Sequence, residues 1–209
     1  MDVIGLIPAG GQANRLGALP CSKEILPVGL GRENQEKRVV SEYLLSYYKK
    51  AGIRNVYFII RDDKWDIPRY FRDGRDFGMN IGYLIVDLPY GVPFTLNQAY
   101  PFISGKIVAA GFLDIILEPE DSYVRLGNKL KSGSSDIVLG VYPVKAYKKW
   151  DMVDFDSDGG IKEICIKQER PDLQFGWTNL VWGPKFTEFL NGYLEEILPQ
   201  MKEGKIAAN

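Results

Sequence analysis

Residues 3–11 read VIGLIPAGG, an apolar run that ends in proline, alanine and two glycines. A continuous apolar run of this length is typical of a strand that is buried on both faces of a sheet. Glycine carries no Cβ, so Gly10 and Gly11 would let the backbone approach a ligand closely. The stretch therefore predicts a first buried strand that leads into a ligand-binding loop.

Similar apolar runs recur along the chain, and stretches with helical spacing separate them. Further strands are predicted at residues 56–60, 81–86, 107–110 and 136–142, and helices at residues 39–51, 66–71, 92–103 and 120–131. Strands that alternate with helices in this way indicate the α/β class. We expect a doubly wound, mainly parallel sheet of the Rossmann-like type.

The pattern changes after residue 150. Residues 152–155 and 161–166 flank the sequence DSDGG, which predicts a small β-hairpin with a glycine-rich turn, and residues 184–203 predict a closing helix. At roughly 150 residues per domain, the length of the chain allows one large domain. We expect residues 1–209 to form a single domain to which the hairpin is a small addition.

Composition excludes several classes of function. The 26 basic and 27 acidic residues give a net charge of −1, which does not favour binding to nucleic acid or to an anionic membrane. The absence of histidine excludes Ser-His-Asp and Cys-His mechanisms and histidine-ligated metals. Only Cys21 and Cys165 are present, and no signal peptide or long apolar run is found, so we expect a cytoplasmic location.

The first loop carries the strongest local feature of the sequence. Residues 9–16 read AGGQANRL, and residues 23–28 read KEILPV. Backbone amides of such a loop can form a concave anion site, to which Arg15 would add a bidentate fork and Lys23 a mobile charge. The spacing matches neither GxGxxG nor GxxxxGK[ST]. The residues predict a phosphate site, although a tight turn with two solvated cations is an alternative.

The loop also resembles a known signature. The sequence AGGQANRLGALPCSKEILPVG is similar to AGGxGTRLxPxTxxxPKxLLPV of the sugar-1-phosphate nucleotidyltransferases, the glucose-1-phosphate thymidylyltransferase group in particular. Further similarities follow in the family's order: AGI at 51–53, FRDG at 71–74, IGY at 81–83, PYG at 89–91, and Asp114 after a predicted strand. The resemblance covers nearly the whole chain and implies the nucleotide-diphospho-sugar transferase type of fold.

The resemblance implies roles for individual residues on the nucleotide side. Backbone groups would hold the nucleotide at Ala9, Gly10, Gly11, Gln12, Ala13, Asn14 and Gly91. Arg15 would brace the triphosphate, and Lys23 would contact the phosphates. Asp114 would hold Mg²⁺. These roles assign the nucleotide half of the molecule to residues 1–150.

Residues 151–209 would form the acceptor half. Lys167 is the candidate contact for the sugar phosphate, and Glu169 is the candidate partner of a sugar hydroxyl. For both residues a solvated strand edge is the alternative. Three aromatic residues, Phe112, Phe175 and Trp177, either shape the acceptor pocket or pack in the core.

The implied reaction transfers a nucleoside monophosphate from an NTP, with dTTP or UTP expected, to a sugar-1-phosphate. Pyrophosphate leaves and an NDP-sugar forms, with Mg²⁺ as cofactor. The partners are then small molecules, with no nucleic acid and no membrane, and a homo-oligomer remains open. Catalysis of this kind depends on positioning and charge neutralisation, so it needs no histidine.

Departures from the family pattern keep two alternatives open. Ala13 replaces a loop glycine, Phe94 lies near the position of a base-reading glutamine, and the family's second Mg²⁺-binding aspartate has no counterpart in this sequence. A degenerate, non-catalytic nucleotide-binding or nucleotide-sugar-binding domain is the first alternative. A glycosyltransferase is the second, with Asp156 and Asp158 as a DxD-like pair.

Overall fold

A computed structural model describes residues 2–11, 17, 19–30, 37–86, 91–133, 135–145, 147–166 and 168–203. Five of the predicted site residues lie outside the described residues: Gln12, Ala13, Asn14, Arg15 and Lys167.

The described residues form ten strands and six α-helices. The strands are β1 (Val3–Pro8), β2 (Pro27–Leu30), β3 (Lys37–Val39), β4 (Asn55–Ile60), β5 (Asn80–Ile85), β6 (Ile107–Gly111), β7 (Ile137–Pro143), β8 (Met152–Phe155), β9 (Ile161–Cys165) and β10 (Phe175–Trp182). The helices are α1 (Val40–Lys50), α2 (Asp66–Phe71), α3 (Val92–Asn97), α4 (Tyr100–Ile103), α5 (Ser122–Ser132) and α6 (Pro184–Lys202). No helix among them is both long and apolar enough to cross a membrane.

Eight strands form one mixed sheet in the order β5-β4-β1-β6-β10-β8-β9, with β7 beside β10. Strands β5, β4, β1 and β6 are parallel, which confirms the expected doubly wound arrangement. Strand β10 runs antiparallel to its neighbours and joins this parallel part to the rest of the sheet. Strands β2 and β3 form a separate antiparallel ribbon.

Helices cover both faces of the sheet. Side chains of α1, α2 and α5 pack into the larger apolar cluster on one face, with Leu44, Phe71 and Tyr123 among its members. Side chains of α3, α4 and α6 pack on the other face, around Ile103 and the fully buried Trp182. This three-layer arrangement leaves the carboxyl ends of the parallel strands at one edge, where ligands bind in open α/β sheets.

The structure differs from the sequence predictions at residues 92–103 and in three strands that were not predicted, the ribbon strands β2 and β3 and the sheet strand β10. Residues 92–103 form two short helices rather than one, because Pro101 cannot donate the hydrogen bond that would continue α3 and its ring clashes with the preceding turn. Strand β10 was not predicted, because Gly176, Thr178 and Asn179 interrupt its apolar pattern. The hairpin of β8 and β9 and the closing helix α6 are confirmed.

Candidate functional site

The loop after β1 begins at the carboxyl edge of the parallel strands. Ala9 is buried, and its N–H donates to the carbonyl of Ile59 in β4, at 2.8 Å. Gly11 is exposed, and a Cβ added there would meet no atom of the described residues within 4 Å. The start of the loop is therefore fixed to the sheet, and the backbone at Gly11 is open to a ligand.

Lys23 and Asp114 meet at this edge. The Nζ of Lys23 lies 2.6 Å from Oδ2 of Asp114, although the two residues are 91 positions apart in the sequence. Their side chains are 24% and 45% exposed, so both charges remain accessible to a ligand. Asp114 follows the last residue of β6, Gly111, by three positions. The structure thus brings together two of the residues to which the resemblance assigns chemistry.

A short 3-10 turn, Lys23–Ile25, holds Lys23 in place. Its preceding residue, Ser22, donates from its backbone N–H and from its hydroxyl to the carboxylate of Asp66, at 2.6 and 2.7 Å. Burial opposes ionisation of Asp66, but these hydrogen bonds and those from backbone amides outweigh it and lower the pKa of Asp66 below its usual value. The carboxylate is therefore a stable anchor for the start of the turn.

Glu24, inside the same turn, forms a buried ion pair. Its Oε1 lies 2.8 Å from the Nζ of Lys64, and the two side chains are 2% and 9% exposed. The second oxygen, Oε2, is buried and accepts no hydrogen bond from the part of the chain that the structure describes. The hydroxyl of Ser41 donates to the carbonyl of Glu24. Hydrogen bonds and an ion pair to Asp66, Lys64 and Ser41 thus fix the turn and order the backbone beside Lys23.

Arg61 is a cation of this edge that the sequence analysis did not identify. It directly follows β4, and a Cβ added to Gly10 would lie 3.6 Å from its Cγ. Its Nη2 lies 3.1 Å from Oδ2 of Asp63, and its side chain is 28% exposed. The sequence could have indicated Arg61 as a site residue through its position directly after a buried parallel strand, where side chains reach the ligand-binding edge.

Gly91 precedes α3 and has a φ of 97°. That value lies in a region that side chains rarely adopt, so glycine is needed here for the backbone alone. The backbone N–H and the hydroxyl of Thr95 both donate to its carbonyl, at 3.1 Å. Phe94, the next candidate on this side, is 6% exposed and is thus largely withdrawn from solvent.

The aromatic residues that were predicted to shape an acceptor pocket or to pack in the core form two separate pairs. Phe112, directly after β6, lies 6.1 Å from Trp177 of β10, measured between ring centroids. Trp177 also packs against the apolar cluster of the α3 and α6 face, and its buried Nε1 has no hydrogen-bond partner among the described residues. Phe175 packs against Phe155 of the hairpin at 5.4 Å. Only the first pair lies next to the segment that carries Asp114.

Glu169 is exposed and forms an ion pair with Lys148, which lies in the segment before β8. Arg170 beside it binds Asp172 at 2.8 Å and Glu163 at 3.0 Å, and its guanidinium lowers the pKa of both carboxyl groups. These pairs link β9 to the segment that leads into β10.

Asp114 is the one predicted metal ligand. The described residues contain no group of three or more acidic or cysteine side chains that could enclose a metal ion. Magnesium, however, is commonly bound by one or two carboxylates together with substrate phosphates and water. An exposed carboxylate at the same sheet edge as an open glycine loop fits that type of site, in which the nucleotide would supply the remaining ligands.

Comparison with known proteins supports the resemblance seen in the sequence. No family model matches the chain. The chain is 24% identical over 170 residues to the low-salt glycan biosynthesis nucleotidyltransferase Agl11 of Haloferax volcanii, which covers 80% of this chain and 45% of that protein. It is 27% identical over 179 residues to the glucose-1-phosphate thymidylyltransferase of Neisseria meningitidis, covering 84% and 59%. The chain thus spans about half the length of these curated relatives.

A third relative shows higher identity. The glucose-1-phosphate thymidylyltransferase of Mycolicibacterium smegmatis is 31% identical over 181 residues, which is 82% of this chain and 57% of that protein. All three relatives are nucleotidyltransferases by name, so the resemblance to this group is confirmed.

Solved structures confirm the fold. A Bacillus anthracis protein assigned to the glucose-1-phosphate thymidylyltransferases, in complex with sucrose, has a TM-score of 0.83 at 18% identity and covers 98% of this chain and 79% of its own. A UTP-bound UGPase from Acinetobacter baumannii has a TM-score of 0.71 at 14% identity, covering 90% and 76%. The chain therefore has the nucleotide-diphospho-sugar transferase fold.

Proposed function

We propose that the chain carries the nucleotidyl-transfer site of a sugar-phosphate nucleotidyltransferase. Such an enzyme would transfer a nucleoside monophosphate from an NTP, with dTTP or UTP expected, to a sugar-1-phosphate. The names of the relatives support this class of reaction. The observation that carries the proposal is the 2.6 Å ion pair of Lys23 and Asp114, at the same edge of the sheet as the open backbone of Gly11.

In the proposed reaction, an oxygen of the sugar phosphate attacks the α-phosphorus of the NTP. The bond between that phosphorus and the oxygen bridging to the β-phosphate breaks, and pyrophosphate leaves with the bonding electrons. Amides of Gly10 and Gly11 would orient the phosphates. Lys23 and Arg61 would neutralise charge that gathers on the leaving group, and Arg15 would add a third cation. Positioning and fixed charges of this kind account for most catalysis of phosphoryl transfer.

Asp114 is the residue that would hold a magnesium ion. When bound, the ion would supply charge neutralisation between the phosphates. The carboxylate of Asp114 accepts a hydrogen bond from Nζ of Lys23 through Oδ2, whereas its Oδ1 accepts no hydrogen bond from the described residues. Lys23 would then turn towards the phosphates, which its flexible side chain allows.

The acceptor would bind where β6 ends and β10 approaches it, beside Phe112 and Trp177. Residues 1–150 would bind the nucleotide, and residues 151–209, including Lys167 and Glu169, would bind the sugar phosphate. Cys21 and Cys165 are both free, in line with a reducing compartment such as the cytoplasm.

The test is pyrophosphate release with Mg²⁺, in which each NTP is paired with a panel of sugar-1-phosphates. Release that requires one NTP and one acceptor would establish the reaction and name both substrates. Release that needs no acceptor would indicate hydrolysis instead. No release from any pair, together with NTP or NDP-sugar binding in a thermal-shift assay, would favour the degenerate binding domain.

A further inference from the structure

Helix α6 carries a row of aromatic rings that runs from the core to the surface. The rings of Phe186, Phe189 and Tyr193 follow one another with 6.1 Å between successive centroids, and the last two are stacked at an interplanar angle of 11°. Phe186 packs against the fully buried Trp182. Phe189 and Tyr193, in contrast, are 63% and 50% exposed. Adjoining exposed aromatic side chains of this kind are typical of a contact surface.

The exposed rings belong to one face of the helix. At 3.6 residues per turn, one side of α6 carries five exposed residues, called here the outer face: Lys185, Phe189, Gly192, Tyr193 and Glu196. Thr187 and Leu194 on the opposite side are buried, so the outer face is directed away from the sheet. No residue to which the proposed reaction assigns a role lies in α6. This surface is therefore separate from the candidate nucleotide site.

The glycine of the outer face has no structural reason within the described part of the chain. Glycine in a helix interior lowers helix stability relative to alanine, because it loses more backbone entropy on folding. Gly192 has no positive φ, and a Cβ added there would meet no atom of the described residues within 4 Å. Neither the backbone nor the packing of these residues requires glycine here. A missing side chain does, however, let a second helix approach closely.

The outer face carries opposite charges at its two ends. Lys185 lies at the amino-terminal end, where its Nζ makes only a long contact of 3.7 Å with Asp136. Glu196 lies three turns later, and its side chain forms no ion pair with the described residues. An antiparallel copy that places Phe189 opposite Tyr193 also places Lys185 level with Glu196 to within one residue, about 1.5 Å. The face is thus complementary in charge to a second copy of itself.

We propose that α6 is the interface of a homodimer, in which its outer face packs antiparallel against the same face of a second copy. Phe189 of one copy contacts Tyr193 of the other, and Lys185 pairs with Glu196. Gly192 leaves room for the ring of the other copy's Phe189. A two-fold contact of this kind forms each interaction twice. One helix face is smaller than a standard interface, so dimerisation should depend on concentration. The proposal does not depend on the proposed transferase activity.

The first experiment is sedimentation equilibrium of the full chain over a series of protein concentrations. We expect a monomer–dimer equilibrium whose dissociation constant rises at least about tenfold in Phe189→Ala, because that variant removes an aromatic contact twice per dimer. Trp65→Ala is the matched control, since Trp65 is a 51% exposed aromatic residue next to α2, and it should leave the constant unchanged. A monomer at every concentration, or a dimer that Phe189→Ala leaves intact, would overturn the proposal.

Gly192→Leu separates the interface from the fold. Leucine favours a helix more than glycine does, so Tm should rise when it is measured at a concentration at which the chain is monomeric. The same side chain should block the close approach of the second helix and weaken dimerisation by at least about tenfold. An unchanged dissociation constant would overturn the proposal.

Charge exchange tests the antiparallel arrangement. Lys185→Glu and Glu196→Lys should each weaken dimerisation by about threefold or more at low ionic strength, because each variant brings like charges together twice per dimer. An equimolar mixture of the two variants should dimerise as well as the wild type, since position 185 of each chain then faces an opposite charge at position 196 of the other. A mixture that dimerises no better than either variant alone would overturn the proposal.

Discussion

The Nζ of Lys64 lies 2.8 Å from Oε1 of Glu24, and neither side chain is more than 9% exposed. Lys64 belongs to the turn after β4, and Glu24 is the neighbour of Lys23 in the 3-10 turn. The pair thus joins two loops of the ligand-binding edge in the interior of the protein. A buried ion pair costs desolvation energy, so its contribution is to order these loops rather than to add large net stability.

Removal of one member should leave an uncompensated buried charge. We expect Lys64→Met to lower the free energy of unfolding by about 3–5 kcal/mol, measured by urea denaturation. The double variant Lys64→Met/Glu24→Leu should recover most of this loss, because no buried charge remains. Lys148→Met, which breaks an exposed pair with Glu169, is the control and should cost less than about 1 kcal/mol. The account would be contradicted if the double variant lost as much free energy of unfolding as the two single variants lose together.

Lys23 and Arg61 should both contribute to turnover once the reaction has been established. Lys23→Ala should lower kcat/KM by about 10²-fold, the scale of one preorganised contact to developing charge. Arg61→Ala should have an effect of the same sign, because Arg61 lies beside Gly10. Lys185→Ala is the matched control, since Lys185 is a cation with an 85% exposed side chain in α6. An unchanged kcat/KM in Arg61→Ala would remove Arg61 from the site.

Asp114→Asn should abolish the dependence of turnover on Mg²⁺ concentration, because an amide is a much weaker ligand for a hard cation than a carboxylate. Titration calorimetry of Mg²⁺ in the presence of a bound nucleotide checks the same point without turnover. Thermal unfolding of the variant should resemble that of the wild type, since Asp114 is exposed. Equal Mg²⁺ affinities in the two proteins would exclude Asp114 as the ligand.

Asp66 should make stability depend on pH in the acid range. Its pKa is lowered in the folded protein, so its contribution is complete above the pKa of an unfolded aspartate, about 3.9, and is lost as the pH falls through the lower folded value. Asp66→Asn should therefore lower Tm most at neutral pH, and the difference should shrink below about pH 4. Asp62→Asn, at an exposed position in the same loop, is the control. A Tm difference that does not vary with pH would contradict the role of the carboxylate.

The sequence predicted the parallel part of the fold well because its signals are local. The apolar run before Gly10 and the alternation of helices and strands are visible within short windows, and α2 was predicted at its observed bounds, Asp66–Phe71. Strand β10 could not be found this way. Its Asn179 is fully buried against Gly140, where an added Cβ would lie 2.0 Å from the amide oxygen. A polar residue breaks the apolar pattern by which a buried strand is recognised, so the sequence around Asn179 is typical of a loop.

The candidate site was predicted in part. The resemblance pointed to Lys23 and Asp114, and the structure shows that they touch. The buried Glu24–Lys64 pair and the position of Arg61 beside Gly10 were not predicted. These contacts join segments that are distant in the sequence, and no spacing rule within one segment carries that information. They form because the order of strands in the sheet brings the loops after neighbouring strands together.

The fork of the sheet at β10 has a consequence for local unfolding. One side of β10 pairs with β7 along its whole length. Between β10 and β8, in contrast, Gly176 and Met152 are the only residue pair in register among the described residues. The hairpin of β8 and β9 is thus joined to the sheet by far fewer backbone hydrogen bonds than β1, which is paired on both sides. Segments with few such bonds open at lower free energy than the core. Amide protons of the hairpin should therefore exchange with solvent well before those of β1, so that the hairpin can open while the parallel strands stay folded.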